Sequence, residues 1–91
     1  MTLLTTLVIA LAITQALDFY TTRTILKAGG HEQNPIVKKL MDIFGRDVFL
    51  VSKGIAVVAA GSYVGSESIL LLGVLVLFYV GIIVHNWKSM P

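Results

Sequence analysis

The chain has 91 residues, of which 56% are hydrophobic and 13% charged, and its formal net charge at pH 7 is +2. Soluble domains carry about 25% charged residues, so this composition excludes a soluble domain with an ordinary charged surface. The absence of cysteine excludes disulfides, zinc–thiolate sites and thiol nucleophiles, and no basic stripe with interleaved aromatic residues indicates nucleic-acid binding.

Three stretches are apolar for long enough to cross the hydrocarbon core of a bilayer, which takes about 20 helical residues. Because backbone in lipid must satisfy its own hydrogen bonds, each stretch is predicted to be a helix. We therefore predict an all-α integral membrane protein with one domain over 1–91. Its elements are a first transmembrane helix at about 3–28, a short amphipathic interfacial helix at 35–44, a second transmembrane helix at 47–64 and a third at 67–87.

The first predicted helix carries a polar face. Thr14 and Gln15, then Asp18, then Thr21 and Thr22 follow at three- and four-residue spacing, which places them on one side of a helix. A carboxylate inside such a segment costs about 2.5 to 3.5 kcal/mol on insertion scales. Asp18 is therefore expected to have a partner or a task.

The connection after the first helix has its own helix signals. Gly29 and Gly30 are predicted to end helix one, because glycine tolerates positive φ. Asn34 and Pro35 suit the N-cap and the first position of the next helix. In that helix the apolar residues keep helical spacing while the charged residues Lys38, Lys39 and Asp42 face away. This pattern is typical of a helix lying on a membrane surface.

Capping residues and small residues mark the last two long helices. Gly45 is predicted to end the amphipathic helix, Asp47 to cap the second transmembrane helix, and Ser66 to cap the third. Small residues let membrane helices approach closely. The glycines expected to pack are Gly54, Gly61, Gly65, Gly73 and Gly81. Packing within one protomer and packing in a homo-oligomer both stay open.

The basic residues predict an orientation. All seven fall toward one side of the predicted membrane, whereas the other side has only the N-terminus and the short turn at 65–68. Basic residues are in excess on the cytoplasmic side of membrane proteins. We expect a multi-pass protein of the bacterial inner membrane, with the N-terminus outside and the C-terminus in the cytoplasm.

Three ionisable residues are predicted to share one depth. At 1.5 Å per residue, Asp18 lies about 22 Å beyond Leu3, and Lys53 and His85 fall at a similar level in the other two helices. One interpretation is an Asp18–Lys53 ion pair that locks helices one and two together. The other is a small-ion or proton site. The candidate residues for this polar cluster are Asp18, Thr21, Thr22, Glu32, Asn34, Lys53 and His85.

No cofactor is predicted, although a bound cation stays open. Carboxylate and amide oxygens suit hard cations, and two carboxylates with one imidazole suit a transition metal. If a metal binds, its expected ligands are Asp18, Glu32 and His85.

The polar residues also form a motif. Asp18-x-x-Thr-Thr, then Gly29-Gly-x-Glu-x-Asn-Pro and a lysine followed by glycine at 53–54 together resemble the DUF5658 family of small bacterial and phage membrane proteins. The resemblance covers about residues 15–60 and does not indicate a chemical reaction. It implies that the family's common polar element consists of Asp18, Thr21, Thr22, Glu32, Asn34, Pro35 and Lys53.

The sequence favours a non-enzymatic regulator or interaction subunit, because it has minimal loops and no catalytic motif. A phage holin-like pore former and an ion or proton translocator that uses Asp18 are alternatives. An intramembrane enzyme with Asp18 and Glu32 as acid and base also stays open. The expected partners are the lipid bilayer and either a second copy or another membrane protein, with no nucleic acid.

Overall fold

A computed structural model describes residues 2–29 and 35–90, and this part of the chain is folded into four helices. They are α1 (Leu3–Lys27), α2 (Pro35–Phe44), α3 (Arg46–Glu67) and α4 (Ile69–Ser89). The three long helices pack against one another, and α2 packs against α3. The predicted all-helical class is confirmed, and α1, α3 and α4 are each long and apolar enough to cross a membrane.

Glycines with positive φ shape the connections between α1 and α3. Gly29 has a φ of +96° just after α1 ends. Gly45 has a φ of +90° and precedes the first residue of α3. The predicted cap by Asp47 is wrong, because α3 already begins at Arg46 and no side chain caps it. Asp47 lies in the first turn instead, where its carboxylate accepts a hydrogen bond from Arg23 of α1 at 3.1 Å.

The joint between α3 and α4 lies further along the chain than predicted. Ser66 does not cap α4; it is still inside α3, and its hydroxyl donates to the carbonyl of Tyr63 at 2.6 Å. Ser68 alone separates the two helices, with extended backbone at φ −154° and ψ 111°. Its Oγ accepts from the backbone N–H of Leu71 at 3.4 Å. The cap therefore follows Glu67, and α4 starts at 69 rather than 67.

Two of the predicted packing glycines allow close contact between the long helices. A methyl group added to Gly61 would collide with Leu11 of α1, and one added to Gly65 would collide with Leu72 of α4. Leu11 and Leu72 are completely buried. A methyl group on Gly54 would only touch the Cβ of Gln15, at 3.5 Å.

The glycines of α4 do not share this role. Methyl groups added to Gly73 or Gly81 would meet no described atom within 4 Å. Among the described residues they therefore make no close helix contact within the protomer, and their packing in a homo-oligomer stays a prediction. They lie on the face of α4 that carries Leu77, which is 71% exposed, whereas α1 and α3 contact the face that begins at Leu72.

Candidate functional site

Asp18 lies at the centre of a polar cluster between the three long helices. Its side chain is 6% exposed, and its Oδ2 accepts a hydrogen bond from the ammonium group of Lys53 on α3 at 2.9 Å. The sequence predicted this ion pair. The contact joins α1 to α3 through a charge pair across 35 positions of the chain.

The third helix contributes an amide rather than an ionisable group. The Nδ2 atom of Asn86 donates to Asp18 Oδ1 at 3.0 Å and to Thr21 Oγ1 at 3.1 Å. A third acceptor, Thr22 Oγ1, is 3.3 Å away. Because an amide nitrogen carries two hydrogens, the two nearer oxygens account for both. Asn86 thereby ties α4 to α1, a role that no sequence argument assigned to it.

Thr21 and Thr22 are adjacent in α1, but their hydroxyl groups bind different partners. Thr21 is fully buried, and its hydroxyl donates to the backbone carbonyl of Leu17 at 2.9 Å, which is the usual behaviour of threonine within a helix. This leaves its oxygen free to accept from Asn86. Thr22 instead donates to the carboxylate of Asp18, at 3.2 Å.

Lys53 lies at the edge of the cluster. Its side chain is 39% exposed, so the ammonium group is less shielded than the carboxylate that it contacts. Its Nζ is also 5.9 Å from the ring centroid of Tyr79 on α4, within the range of a cation–π contact. Lys53 therefore contacts both of the other long helices.

The cluster pairs one carboxylate with one ammonium group, and both oxygens of the carboxylate accept hydrogen bonds. One Asp18 oxygen accepts from Lys53, and the other accepts from Asn86 and Thr22. Among the described residues, no group of three His, Cys, Asp or Glu side chains could hold a metal ion. The hydrogen bonds of the cluster fasten α1 to α3 and α4.

His85 is not part of the cluster, which corrects the prediction from depth alone. Its side chain is exposed, because it follows Leu77 and Gly81 at four-residue spacing on the outer face of α4. The inner face runs through Leu72 and Tyr79 to Asn86 at helical spacing. His85 lies at the expected level along the helix axis, but its side chain faces away from the cluster.

Two further candidates, Glu32 and Asn34, lie outside the described residues, so the predicted contribution of the loop at 30–34 stays a prediction. A metal site built from Asp18, Glu32 and His85 would have to include His85, which is exposed on the outer face of α4. Pro35, which the resemblance placed in the same polar element, is the first residue of α2.

A second charged contact joins α1 and α3 one turn beyond the cluster. Asp47 Oδ1 is 3.1 Å from Arg23 Nε and 4.0 Å from Arg46 Nε. All three side chains are between one-third and one-half exposed. Arg46 Nε is itself buried and has no hydrogen-bond partner among the described residues.

A family model described as a domain of unknown function (DUF5658) matches residues 9–90 of the chain. The matched range contains every residue of the cluster and the whole of α2, α3 and α4. It confirms the family that the motif suggested. No curated protein and no solved structure matches the chain.

Proposed function

The chain belongs to the DUF5658 family, and from its geometry we propose that it is a small multi-pass protein of the bacterial inner membrane that acts without catalysis, as a regulator or interaction subunit. The observation that carries this proposal is the hydrogen-bonded cluster around Asp18. A buried carboxylate whose two oxygens accept from α3, α4 and its own helix holds the three long helices in one arrangement.

The outer surface of the three long helices supports the membrane location. Leu70 and Leu77 of α4 are 74% and 71% exposed, and Ile55 of α3 is 67% exposed. Contiguous apolar surface of this extent is rare on proteins that face water. The polar cluster faces inward, whereas most of the side chains that face outward on the long helices are apolar, as expected for contact with lipid.

The distribution of charge supports an N-outside, C-inside orientation. The Asp18 and Asp47 contacts show that α1 and α3 run antiparallel, so the end of α1 and the start of α3 lie together. Basic residues at this end belong on the cytoplasmic side. They are Arg23, Lys27, Lys38, Lys39, Arg46, Lys53 and Lys88. The opposite end has Glu67 and Ser68.

In this orientation α2 lies on the cytoplasmic surface. Ile36, Ile43 and Phe44 are exposed apolar side chains, and they suit the boundary between headgroups and acyl chains. Lys38 and Lys39 are exposed as well, and they face the cytoplasm. This charged face is the surface on which a partner protein binds.

A double-mutant cycle with a flux measurement tests whether the contacts of Asp18 hold the long helices together. Lys53→Met leaves the buried carboxylate without its charged partner, and breaking a buried pair in this way costs about 3–5 kcal/mol. We expect a cost toward the lower end of this range, because Asp18 keeps the hydrogen bonds from Asn86 and Thr22. Asp18→Asn combined with Lys53→Met should recover stability in detergent, measured by thermal unfolding.

The same variants separate fastening from ion or proton translocation. If Asp18 carries ions, Asp18→Asn abolishes flux in liposomes while the protein stays folded. The fastening instead predicts no flux in the wild type, and a coupling free energy between Asp18 and Lys53 in the cycle. Flux in the wild type that the folded Asp18→Asn variant lacks would overturn the proposal.

Capture of partners from crosslinked membranes at native expression tests the interaction role. A specific partner should be recovered with the wild-type chain and lost with Lys38→Glu/Lys39→Glu, which reverses the charged face of α2. Lys88→Glu is the control, because it reverses a charge at the same end of the bundle but on α4. Recovery of no partner, or equal loss with the control, would contradict binding through α2.

A further inference from the structure

An apolar groove runs along the outside of the bundle between α1 and α3. Its volume is about 580 Å³. One wall is formed by Ala12, Gln15, Ala16 and Phe19 of α1, and the other extends along α3 from Leu50 to Ala59. The groove is open to the surroundings and small residues line much of it. Its size falls within the 300–1,000 Å³ that is usual for ligand sites.

Both walls of the groove continue into arginines at the same end. Arg23 follows Phe19 by four residues on α1, and Arg46 precedes Leu50 by four residues on α3, so each lies one turn further along a groove-lining face. Asp47 contacts both Nε atoms. Two positive charges and one negative charge leave a net charge of +1 at this mouth.

We propose that this groove binds an anionic phospholipid, with one acyl chain between α1 and α3 and the phosphate at Arg23 and Arg46. The inference rests on the proposed membrane location and orientation. Guanidinium groups match phosphate oxygens in geometry as well as charge. Basic pockets between helices on the cytoplasmic side are the usual form of sites for anionic headgroups.

The length of the groove fits this occupant. From Leu50 to Ala59 the wall extends over nine residues, which is about 13–14 Å of helix. One leaflet accounts for half of a hydrocarbon core of about 30 Å. An acyl chain that starts just below Arg46 therefore reaches the end of the groove at about the middle of the bilayer.

A second copy of the chain fits the groove less well. In a two-fold dimer the same surface contacts itself, and two concave grooves facing each other leave an unfilled space. The charges oppose such a dimer too, because it would bring the two positively charged mouths together. A single negatively charged lipid fills the groove and balances the mouth.

Native mass spectrometry of the purified full-length chain tests the proposal. The chain is titrated with phosphatidylglycerol and with phosphatidylcholine of identical acyl chains. We expect tighter binding of phosphatidylglycerol, with the preference reduced about fivefold by Arg23→Gln and about fivefold by Arg46→Gln, the effect of one basic residue near an anionic surface. Asp47→Asn should act in the opposite direction and increase the preference.

Matched controls separate the site from general charge effects. Lys38→Gln/Lys39→Gln removes two positive charges from α2 and should leave the preference unchanged. Ala59→Phe fills the groove and should abolish retained lipid of either kind, whereas Ala60→Phe, an adjacent exposed position outside the groove, should not. Equal binding of the two lipids by the wild type, or an undiminished preference in the arginine variants, would overturn the proposal.

Two other outcomes are equally decisive. If Ala59→Phe changes the oligomeric mass of the protein and leaves lipid binding intact, a second copy occupies the groove and the lipid proposal is wrong. Carbonate extraction of cell membranes tests the membrane location separately. A chain that stays in the membrane but shows no lipid preference refutes the lipid site alone, whereas a chain released by carbonate refutes the proposed location.

Discussion

At the scale of single residues, the charge pair was predictable and its amide partner was not. Asp18 and Lys53 are conspicuous because each is a charge in an apolar segment, and helix rise alone brings them to one level. Asn86 is uncharged and close to a helix end, where an amide does not by itself indicate a buried contact. Depth pointed to His85, whereas the rotation of α4 turns Asn86 inward. The spacing of Leu72, Tyr79 and Asn86 would have predicted this rotation only if the inner face of α4 had been known.

Replacement of Asn86 tests its role against that of its neighbour. Asn86→Leu removes the amide donor from Thr21 Oγ1, which is buried, and from Asp18 Oδ1, which keeps only the hydrogen bond from Thr22. Such losses cost about 1–3 kcal/mol. His85→Leu should change stability by less than about 0.5 kcal/mol, because the side chain is exposed. Unfolding in mixed detergent micelles measures both, and equal effects at the two positions would contradict the assignment.

At the scale of helices, composition predicted how many there are, whereas the caps were less predictable. The joint at Ser68 was misplaced because Gly65 and Ser66 precede it, and each suits a helix end. Tertiary contact decides among them: Gly65 must stay helical to pack against Leu72. The glycines show the same limit, because spacing alone cannot tell the inner face of α3 from the outer face of α4.

Alanine substitutions distinguish the two sets of glycines. Gly61→Ala/Gly65→Ala places methyl groups against the buried Leu11 and Leu72, and overpacking of this kind costs about 1–3 kcal/mol. Gly73→Ala/Gly81→Ala meets open space and should stabilise α4 slightly, since alanine favours helix over glycine. Thermal unfolding in detergent is the measurement. A destabilised Gly73/Gly81 variant whose oligomeric state also changes would instead place those glycines in a homo-oligomer.

At the scale of the whole molecule, the proposal concerns which end of the bundle faces which side. The contacts of Asp18 and Asp47 place the basic residues at one end, and the single-residue turn at Ser68 lies at the other. The sequence predicted that the basic residues lie at one end, because their positions relative to the apolar segments do not depend on tertiary contacts. The structure adds that a groove and two arginines open at the basic end.

The lack of native cysteine makes the orientation easy to test. Single-cysteine variants Glu67→Cys and Ser89→Cys, both at exposed positions, are treated with a membrane-impermeant maleimide in spheroplasts. The variant at 67 should label at once, and the variant at 89 only after lysis. The wild-type chain is the unlabelled control. The reverse pattern would invert the proposed orientation and move the arginine pair to the outer leaflet.

The residues of the cluster around Asp18 are also synthesised at different times. The ribosome makes Asp18 first, Lys53 comes 35 residues later and Asn86 68 residues later. While the chain is growing, α1 therefore holds a carboxylate with only Thr22 as a side-chain donor, and α4 completes the set near the end of synthesis. The hydrogen bonds of the cluster are complete only when α4 has been made. We therefore expect truncation before Asn86 to destabilise the bundle and to direct the chain to proteolysis.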